Sequence, residues 1–377
     1  MIDIQDNTCC CGCGACSQRC PQSCITMQED DNGFLYPHVD VEACVGCGLC
    51  EQVCPYLNEE DKRSGAATAI AACNPDEQVR TGSSSGGVFT LLAQEVIAQG
   101  GVVFGARFDD QWNVLHDCTD SGDGLMAFRG SKYVQSAIGD SYCRVEGLLK
   151  QGRKVLFSGT PCQIAGLRLF LGKEYDDLLL VDVACHGVPS PKVWREYLPS
   201  ASGGSPLTAV NFRSKTTGWK NYSVLIGDKS RLHDDDRFMG CFLKNYSLRP
   251  SCFNCRFKAG HSGADITLAD FWGIQTVAPH LDDDKGTSLV IVHTEKGQHH
   301  LDRCRMNQET VDYSQALRAN PSLEHSATCP NDYDAFWQLF NGGNPSQAIR
   351  KYGRLYDSGF MMRVKRMLAA LLKGLRR

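Results

Sequence analysis

The chain has 377 residues, 42% of them hydrophobic, a formal charge of −4 and 21 cysteines. That charge supplies no global basic field of the kind that nucleic-acid binding draws on, and no apolar run approaches the ~18 residues of a spanning helix. The opening "MIDIQDNTCC" lacks the basic and apolar regions of an export signal, so the expected location is the cytoplasm, where thiols stay reduced or metal-bound. So many thiols would suit an anaerobe.

The first element in chain order is "CCCGCGACSQRCPQSC", with seven cysteines in residues 9–24. In one register only, Cys10, Cys13, Cys16, Cys20 and Pro21 spell C-x2-C-x2-C-x3-C-P. "CVGCGLCEQVCP" repeats that pattern at Cys44, Cys47, Cys50, Cys54 and Pro55. Two such runs are the signature of a bacterial two-cluster ferredoxin, in which the fourth cysteine of each run ligates the other cluster. Cys10, Cys13, Cys16 and Cys54 are therefore expected on one 4Fe-4S cluster, and Cys44, Cys47, Cys50 and Cys20 on the other. Zinc would use two separated CxxC pairs closing on themselves, and a disulfide knot would need an export signal. Cys9, Cys11 and Cys24 fall outside the pattern and are expected as packing thiols.

After a charged linker at 57–67, strands and helices alternate. "ATAIAAC" reads as a strand, "GSSSGG" as a loop and "VFTLLAQEVIAQG" as a helix ending on Gly100 and Gly101. "GVVFGARF", "KVLFSG" and "LLLVDVACHG" read as strands, with "SYCRVEGLLKQG" and "TPCQIAGLRLFLG" as helices between them. The texture turns hairpin-like from about 207, and strands return in "ADITLADFWG" and "SLVIVHT". The expected fold is an α+β ferredoxin module over 1–58 and a larger α/β domain over 65–345 on a mostly parallel sheet. A basic amphipathic tail over 346–377 follows, with six cations and no acid in residues 363–377. It is expected to dock on its own domain, with peripheral membrane or partner docking as the minority reading.

Cys162 and Cys185 each follow a hydrophobic strand, so a parallel sheet would bring both to its carboxyl edge, where ligands of α/β folds gather. With the CxxC of Cys252 and Cys255 they make four thiols, enough for a third 4Fe-4S cluster; catalytic or merely buried thiols are the alternative. "TGSSSGGVF" at 81–89 matches neither GxGxxG nor a P-loop. It opens a helix, where amides favour an anion, and reads either as a cradle for a dinucleotide diphosphate or as an ordinary turn. A flavin would convert single electrons from the clusters into hydride.

The motifs "GSSSGGVFT", "GSKYVQS", "SGTPCQIAGL", "CHGVPSPKVW", "FRSKTTGW", "RPSCFNCRFK" and "DITLADFWG" together resemble the family of the beta subunit of coenzyme F-420-reducing hydrogenase. The resemblance spans most of residues 65–295. It implies an FAD-binding domain with its own 4Fe-4S cluster on Cys162, Cys185, Cys252 and Cys255. It also implies flavin contacts from the loop of Ser84, Ser85, Gly86 and Gly87, from Lys132, Tyr133 and Gln135, and from Asp270 and Trp272. Ala269 stands where relatives often have glycine. The resulting expectation is an iron–sulfur flavoprotein oxidoreductase exchanging hydride with a deazaflavin of the F-420 type or another small organic molecule, its electrons supplied or taken by a redox partner protein or ferredoxin. A non-catalytic electron-relay subunit of a larger complex is the alternative, and the oligomeric state is left open.

Overall fold

The structure, a computed structural model, describes residues 1–58 and 67–355. Most of the expected linker and residues 356–377 of the basic tail lie outside the described residues. Among the described residues, no helix is long and apolar enough to cross a membrane.

The N-terminal module is built on an antiparallel hairpin, β1 (Ile25–Glu29) and β2 (Leu35–Val39), with short helices at Ala15–Arg19 and Leu49–Gln52. Each helix begins just after a glycine with positive φ, Gly14 (+71°) and Gly48 (+75°). These left-handed turns fold each cysteine loop back on itself, a conformation that side-chain-bearing residues resist.

The large domain carries β3 (Thr68–Cys73), β4 (Val102–Phe108), β5 (Val114–Thr119), β6 (Val155–Gly159) and β7 (Leu178–Val183). A small antiparallel sheet follows, of β8 (Val210–Ser214), β9 (Ser223–Ile226) and β10 (Lys229–Leu232). Then come β11 (Ile266–Asp270), β12 (Ser288–Val292) and β13 (Asn307–Val311). The main sheet has eight strands in the order β13-β3-β12-β11-β7-β6-β4-β5.

The expectation of a mostly parallel sheet is corrected here. Only the three pairings within β11-β7-β6-β4 are parallel, and the other four are antiparallel. At β4–β5 connection length is the cause. Parallel neighbours need a crossover, usually a helix. β4 instead turns directly into β5 through Asp109–Asn113, where Trp112 adopts φ +63°. β11 returns to β12 antiparallel although residues 271–287 between them hold the short helices Ile274–Val277 and Pro279–Leu281. The sheet is mixed and mostly antiparallel, between an N-terminal α+β module and flanking helices.

Strand burial shows why the central segments read as continuous apolar runs. Leu156, Leu179 and Val181 join Val88, Leu92 and Val96 of the helix Val88–Ala98 on one face. Val155, Phe157, Leu178 and Leu180 join the helices Ser141–Lys150 and Pro161–Leu171 on the other. That second cluster also takes in Cys11, Cys13, Ala15, Val53 and Tyr56 of the N-terminal module. A third core, under the helices Tyr333–Asn341 and Pro345–Tyr352, receives Phe34 from the β1–β2 turn, fully buried and edge-on to Trp337. Burial of a side chain like Phe34 is worth about 1.5–3 kcal/mol. The module is packed against the large domain at two separate cores.

Candidate redox site

The pairings give β3, β11, β7, β6 and β4 one common direction, so the segments after them emerge along a single edge. β6 ends into the helix Pro161–Leu171. Thr160 there forms a capping box with Gln163, and Cys162 sits in the first turn. β7, parallel to β6, leads to Cys185. Cys252 lies on the turn Pro250–Asn254 and Cys255 caps it, and the Cys252 sulfur accepts from the amide of Val188, three residues beyond Cys185, at 3.4 Å. The four thiols act on one another electrostatically: Cys185 is influenced by Cys252, Cys162 and Cys255, and Cys252 by Cys162 and Cys255.

Their protonation differs. Burial pushes the Cys252 thiol up to about 12 and Cys185 well above the usual thiol range. Cys162 is held at about 7, first by a hydrogen bond from Cys11. Cys11, expected from sequence only as a packing thiol, is buried within hydrogen-bond reach of both Cys13 and Cys162.

In the N-terminal module, Cys16 is influenced by Cys13, Cys10 and Cys54, and Cys54 by Cys13 and Cys10. Cys54 therefore lies with the first run although it belongs to the second. Cys20 stands 3.3 Å from Cys24, which is also coupled to Cys44, and Cys50 accepts a hydrogen bond from the Ile2 amide at 3.3 Å. Cys47 is exposed on its loop. Among the described residues, no three ligand-type side chains close around a single metal ion; a cubane, with one thiolate on each iron, asks for wider sets. Gly166 permits the approach of the first run to the large domain, because a Cβ there would stand 2.9 Å from the Cys13 sulfur.

Beside Cys185 the same edge opens into a cavity of about 470 Å³. Its walls include Ser84, Ser85, Gly87, Lys132, Tyr133, Asp270 and Trp272, and Cys185 itself. Gly86 and Gln135 are not among the lining residues. The Gly86 amide donates to Ser288 Oγ at 3.0 Å. A methyl group at Gly86 would strike the Ala72 carbonyl and stand 2.6 Å from the Ser288 amide, both in the sheet. Gly86→Ala is thus expected to cost about 1–3 kcal/mol, read as a lower urea midpoint.

The serine loop is braced by protein groups. Ser84 Oγ accepts from the Ser131 amide at 2.7 Å, and Ser85 Oγ donates to the Thr287 carbonyl at 2.8 Å. Lys215 Nζ donates to the carbonyls of Arg80 and Ser85 at 2.7 and 2.6 Å. The Ser85 hydroxyl is thereby committed, and beside it the start of the helix Val88–Ala98 faces the cavity. Its N-cap, Gly87, adopts φ +84° and offers no side-chain cap, which leaves first-turn amides for an anion.

Opposite, Arg213 is buried and 3.0 Å from Asp270, with its guanidinium 3.9 Å from the Tyr222 ring centroid and 5.1 Å from that of Trp272. Its Nε has no hydrogen-bond partner. Trp272 stacks on Trp219 at 4.8 Å, and Tyr133 on Phe242 at 4.8 Å. Lys132 donates to the carbonyls of Ala127 and Arg129 at 2.9 and 3.0 Å. His116, also in the wall, is kept neutral, with burial pulling it down to about 4. Its Nε2 is 3.0 Å from the Ser158 carbonyl, so that nitrogen donates and Nδ1 accepts from Ser136 Oγ at 2.9 Å. Sequence reasoning misses Arg213 and His116 in this wall; Arg213 lies within the "FRSK" motif, but nothing local to His116 marks it.

Comparison with known proteins adds two matched regions. A family model for the C terminus of the beta subunit of coenzyme F420 hydrogenase/dehydrogenase fits residues 152–314, and one for a 4Fe-4S dicluster domain fits residues 9–58. Among solved structures, a chain from a xenon-derivatised F420-reducing NiFe hydrogenase complex of Methanosarcina barkeri is similar, with 18% identity and a TM-score of 0.46. The match covers 78% of this chain and 92% of that one. No curated protein matches.

Proposed function

The chain belongs to the coenzyme F420 hydrogenase/dehydrogenase beta-subunit family, with an N-terminal ferredoxin-like iron–sulfur domain, and from that premise we propose that it moves electrons between three 4Fe-4S clusters and an FAD that exchanges hydride with a small molecule. Oxidoreductase activity with iron–sulfur electron transfer is the family's property. The third cluster, the flavin and the hydride step are the proposed part.

One observation carries the reading. The cavity has a size within the ~300–1,000 Å³ of ligand sites, and Cys185, one of the four convergent thiols, stands in its wall. A group bound there would be adjacent to a cluster on Cys162, Cys185, Cys252 and Cys255. The residues present suit FAD: a helix start at Gly87 for the diphosphate, aromatic surfaces at Tyr133 and Trp272, and a buried guanidinium nitrogen on Arg213 without a partner. When bound, the flavin would accept or give electrons singly on the cluster side and as hydride on the substrate side. Asp270 orients the Arg213 guanidinium, Lys132 supplies a positive charge to an anionic edge, and neutral His116 presents no acidic proton near neutral pH.

The N-terminal sets, Cys10, Cys13, Cys16, Cys54 and Cys20, Cys44, Cys47, Cys50, would hand electrons toward the large domain across the Cys13–Cys11–Cys162 contact. Protein purified without oxygen is expected to hold roughly twelve irons, four per cubane, and one FAD. It is also expected to catalyse turnover between a one-electron dye and a hydride acceptor such as F-420. Flavin and clusters without such turnover would make it a relay subunit, and protein without flavin would end the hydride proposal.

A further inference from the structure

The contact between the N-terminal module and the large domain is organised around one guanidinium. Arg249 is fully buried. Its Nε donates to the Cys10 carbonyl at 2.7 Å, Nη2 to the Leu35 carbonyl at 3.0 Å and Nη1 to Gln135 Oε1 at 3.1 Å. Gln135 in turn donates to the Cys11 carbonyl at 2.9 Å. The guanidinium carbon lies 4.1 Å from the Tyr36 ring centroid and 5.4 Å from that of Phe34. Gly12, at φ +70°, is required by the same packing, since a Cβ there would stand 2.8 Å from Nη1.

All three hydrogen-bond acceptors are neutral. Among the described residues no carboxylate forms an ion pair with Arg249. Asp30 lies within its field but accepts hydrogen bonds from the amides of Asn32 and Phe34. A fully buried cation without a counter-ion is costly, so the negative charge that balances this one has to be sought elsewhere. The acidic groups that act on it most strongly are Cys10, Tyr36, Cys11 and Cys252. Its own charge is felt by Cys13 and Cys162. Cys10 and Cys13 belong to one thiol set and Cys162 and Cys252 to another, with Arg249 between them.

We propose that Arg249 is the shared counter-ion of two clusters, the one on Cys10, Cys13, Cys16 and Cys54 and the one on Cys162, Cys185, Cys252 and Cys255, raising both reduction potentials together. The inference rests on the third cluster of the proposed function. Reduction adds negative charge to a cluster, and a buried positive charge beside it favours that reduced state. Net charge and hydrogen bonding around a cluster are the levers that set its potential. A charge placed between two clusters moves both in one direction and keeps the step between them small. Arg249 is a positioning residue here, acting through the cluster ligands.

The test compares midpoint potentials, by redox titration with electron paramagnetic resonance, in anaerobic holoprotein carrying Arg249→Gln, Arg249→Lys or Gln135→Glu. Arg249→Gln removes the charge. Gln135→Glu leaves the guanidinium in place and sets a carboxylate on Nη1, at the loss of the donation to the Cys11 carbonyl, so an unmoved potential there overturns the proposal even if Arg249→Gln does not fold. Both are expected to shift two clusters to more negative potential. The reduced-to-oxidised ratio at the wild-type midpoint should fall tenfold or more, about 59 mV for a one-electron couple. The cluster on Cys20, Cys44, Cys47 and Cys50 should move less, and Arg249→Lys should retain most of the wild-type potential. Full iron with both potentials unmoved in Gln135→Glu would overturn Arg249's role and leave the third cluster standing. Wild-type iron near eight would instead remove the third cluster, and with it the two-sided claim.

Discussion

Replacing Cys252 by serine is expected to remove about four of roughly twelve irons and to leave the N-terminal pair of clusters in place. Cys252 is half-buried, and its sulfur accepts a weak hydrogen bond from the Val188 amide, at 3.4 Å. Burial holds its thiol at about 12 without metal, so iron binding must displace that proton, and the thiolate–iron bond repays the cost. A serine hydroxyl in the same place is a poorer ligand and harder still to deprotonate. The remaining three thiols, Cys162, Cys185 and Cys255, would then have no fourth partner from their own set. The N-terminal ligands are held by other loops, with Gly14 and Gly48 setting their turns, and do not depend on Cys252. Iron analysis with low-temperature paramagnetic resonance on the variant reads the result directly. Unchanged iron would show that these four thiols hold no cluster. Loss of an N-terminal signal instead would mean that Cys252 ligates across the Cys11–Cys162 contact, and the grouping would have to be redrawn.

The parts of the site legible in the sequence are those whose chemistry is written in local spacing. C-x2-C-x2-C-x3-C-P fixes which thiols share a tight loop, and the apolar runs before Cys162 and Cys185 identify strands whose ends face the same way. Strand direction at the sheet's margins is a different kind of information. It depends on how the chain returns between strands, and the Asp109–Asn113 turn is too short to cross over. The eight-strand sheet is therefore mixed, while β6 and β7 are parallel.

Contacts between distant segments are equally illegible. Arg249 meets Cys10 across 239 positions and Gln135 meets Cys11 across 124, and neither pair has a local pattern to betray it. The motif around Gln135 points to the flavin, yet its amide is engaged on the module contact. Gly86 reads as room for a phosphate, and the structure uses it as room for the Ala72 carbonyl. A glycine in a loop announces that something comes close without saying what. The signal that could have pointed to Arg249 is its place three residues before Cys252, since a lone cation among thiols invites a search for the charge it balances.

Lys132→Met is expected to weaken FAD binding ten- to a hundredfold, about 1.4–2.7 kcal/mol, with little change in fold stability. Lys132 is half-buried in the cavity wall, and among the described residues no carboxylate pairs with it. Its ammonium donates only to the carbonyls of Ala127 and Arg129, and burial pulls it down to about 7. The sign of the pH effect follows from that shift. Without flavin, Lys132 is cationic below about pH 7 and increasingly neutral above it. A bound anion favours the cationic form and raises the group again, so binding takes up a proton wherever the free protein has lost one. Affinity should accordingly hold steady below pH 7 and fall as pH rises beyond it, by up to tenfold per unit until the raised value is reached. Calorimetric titration of flavin-depleted protein in two buffers of different ionisation enthalpy would detect the proton uptake at pH 8. In Lys132→Met the uptake should vanish and the affinity should become flat with pH. A wild-type profile that is already flat, together with a methionine variant that keeps its flavin, would reduce Lys132 to a strut that ties its own loop to residues 127–129.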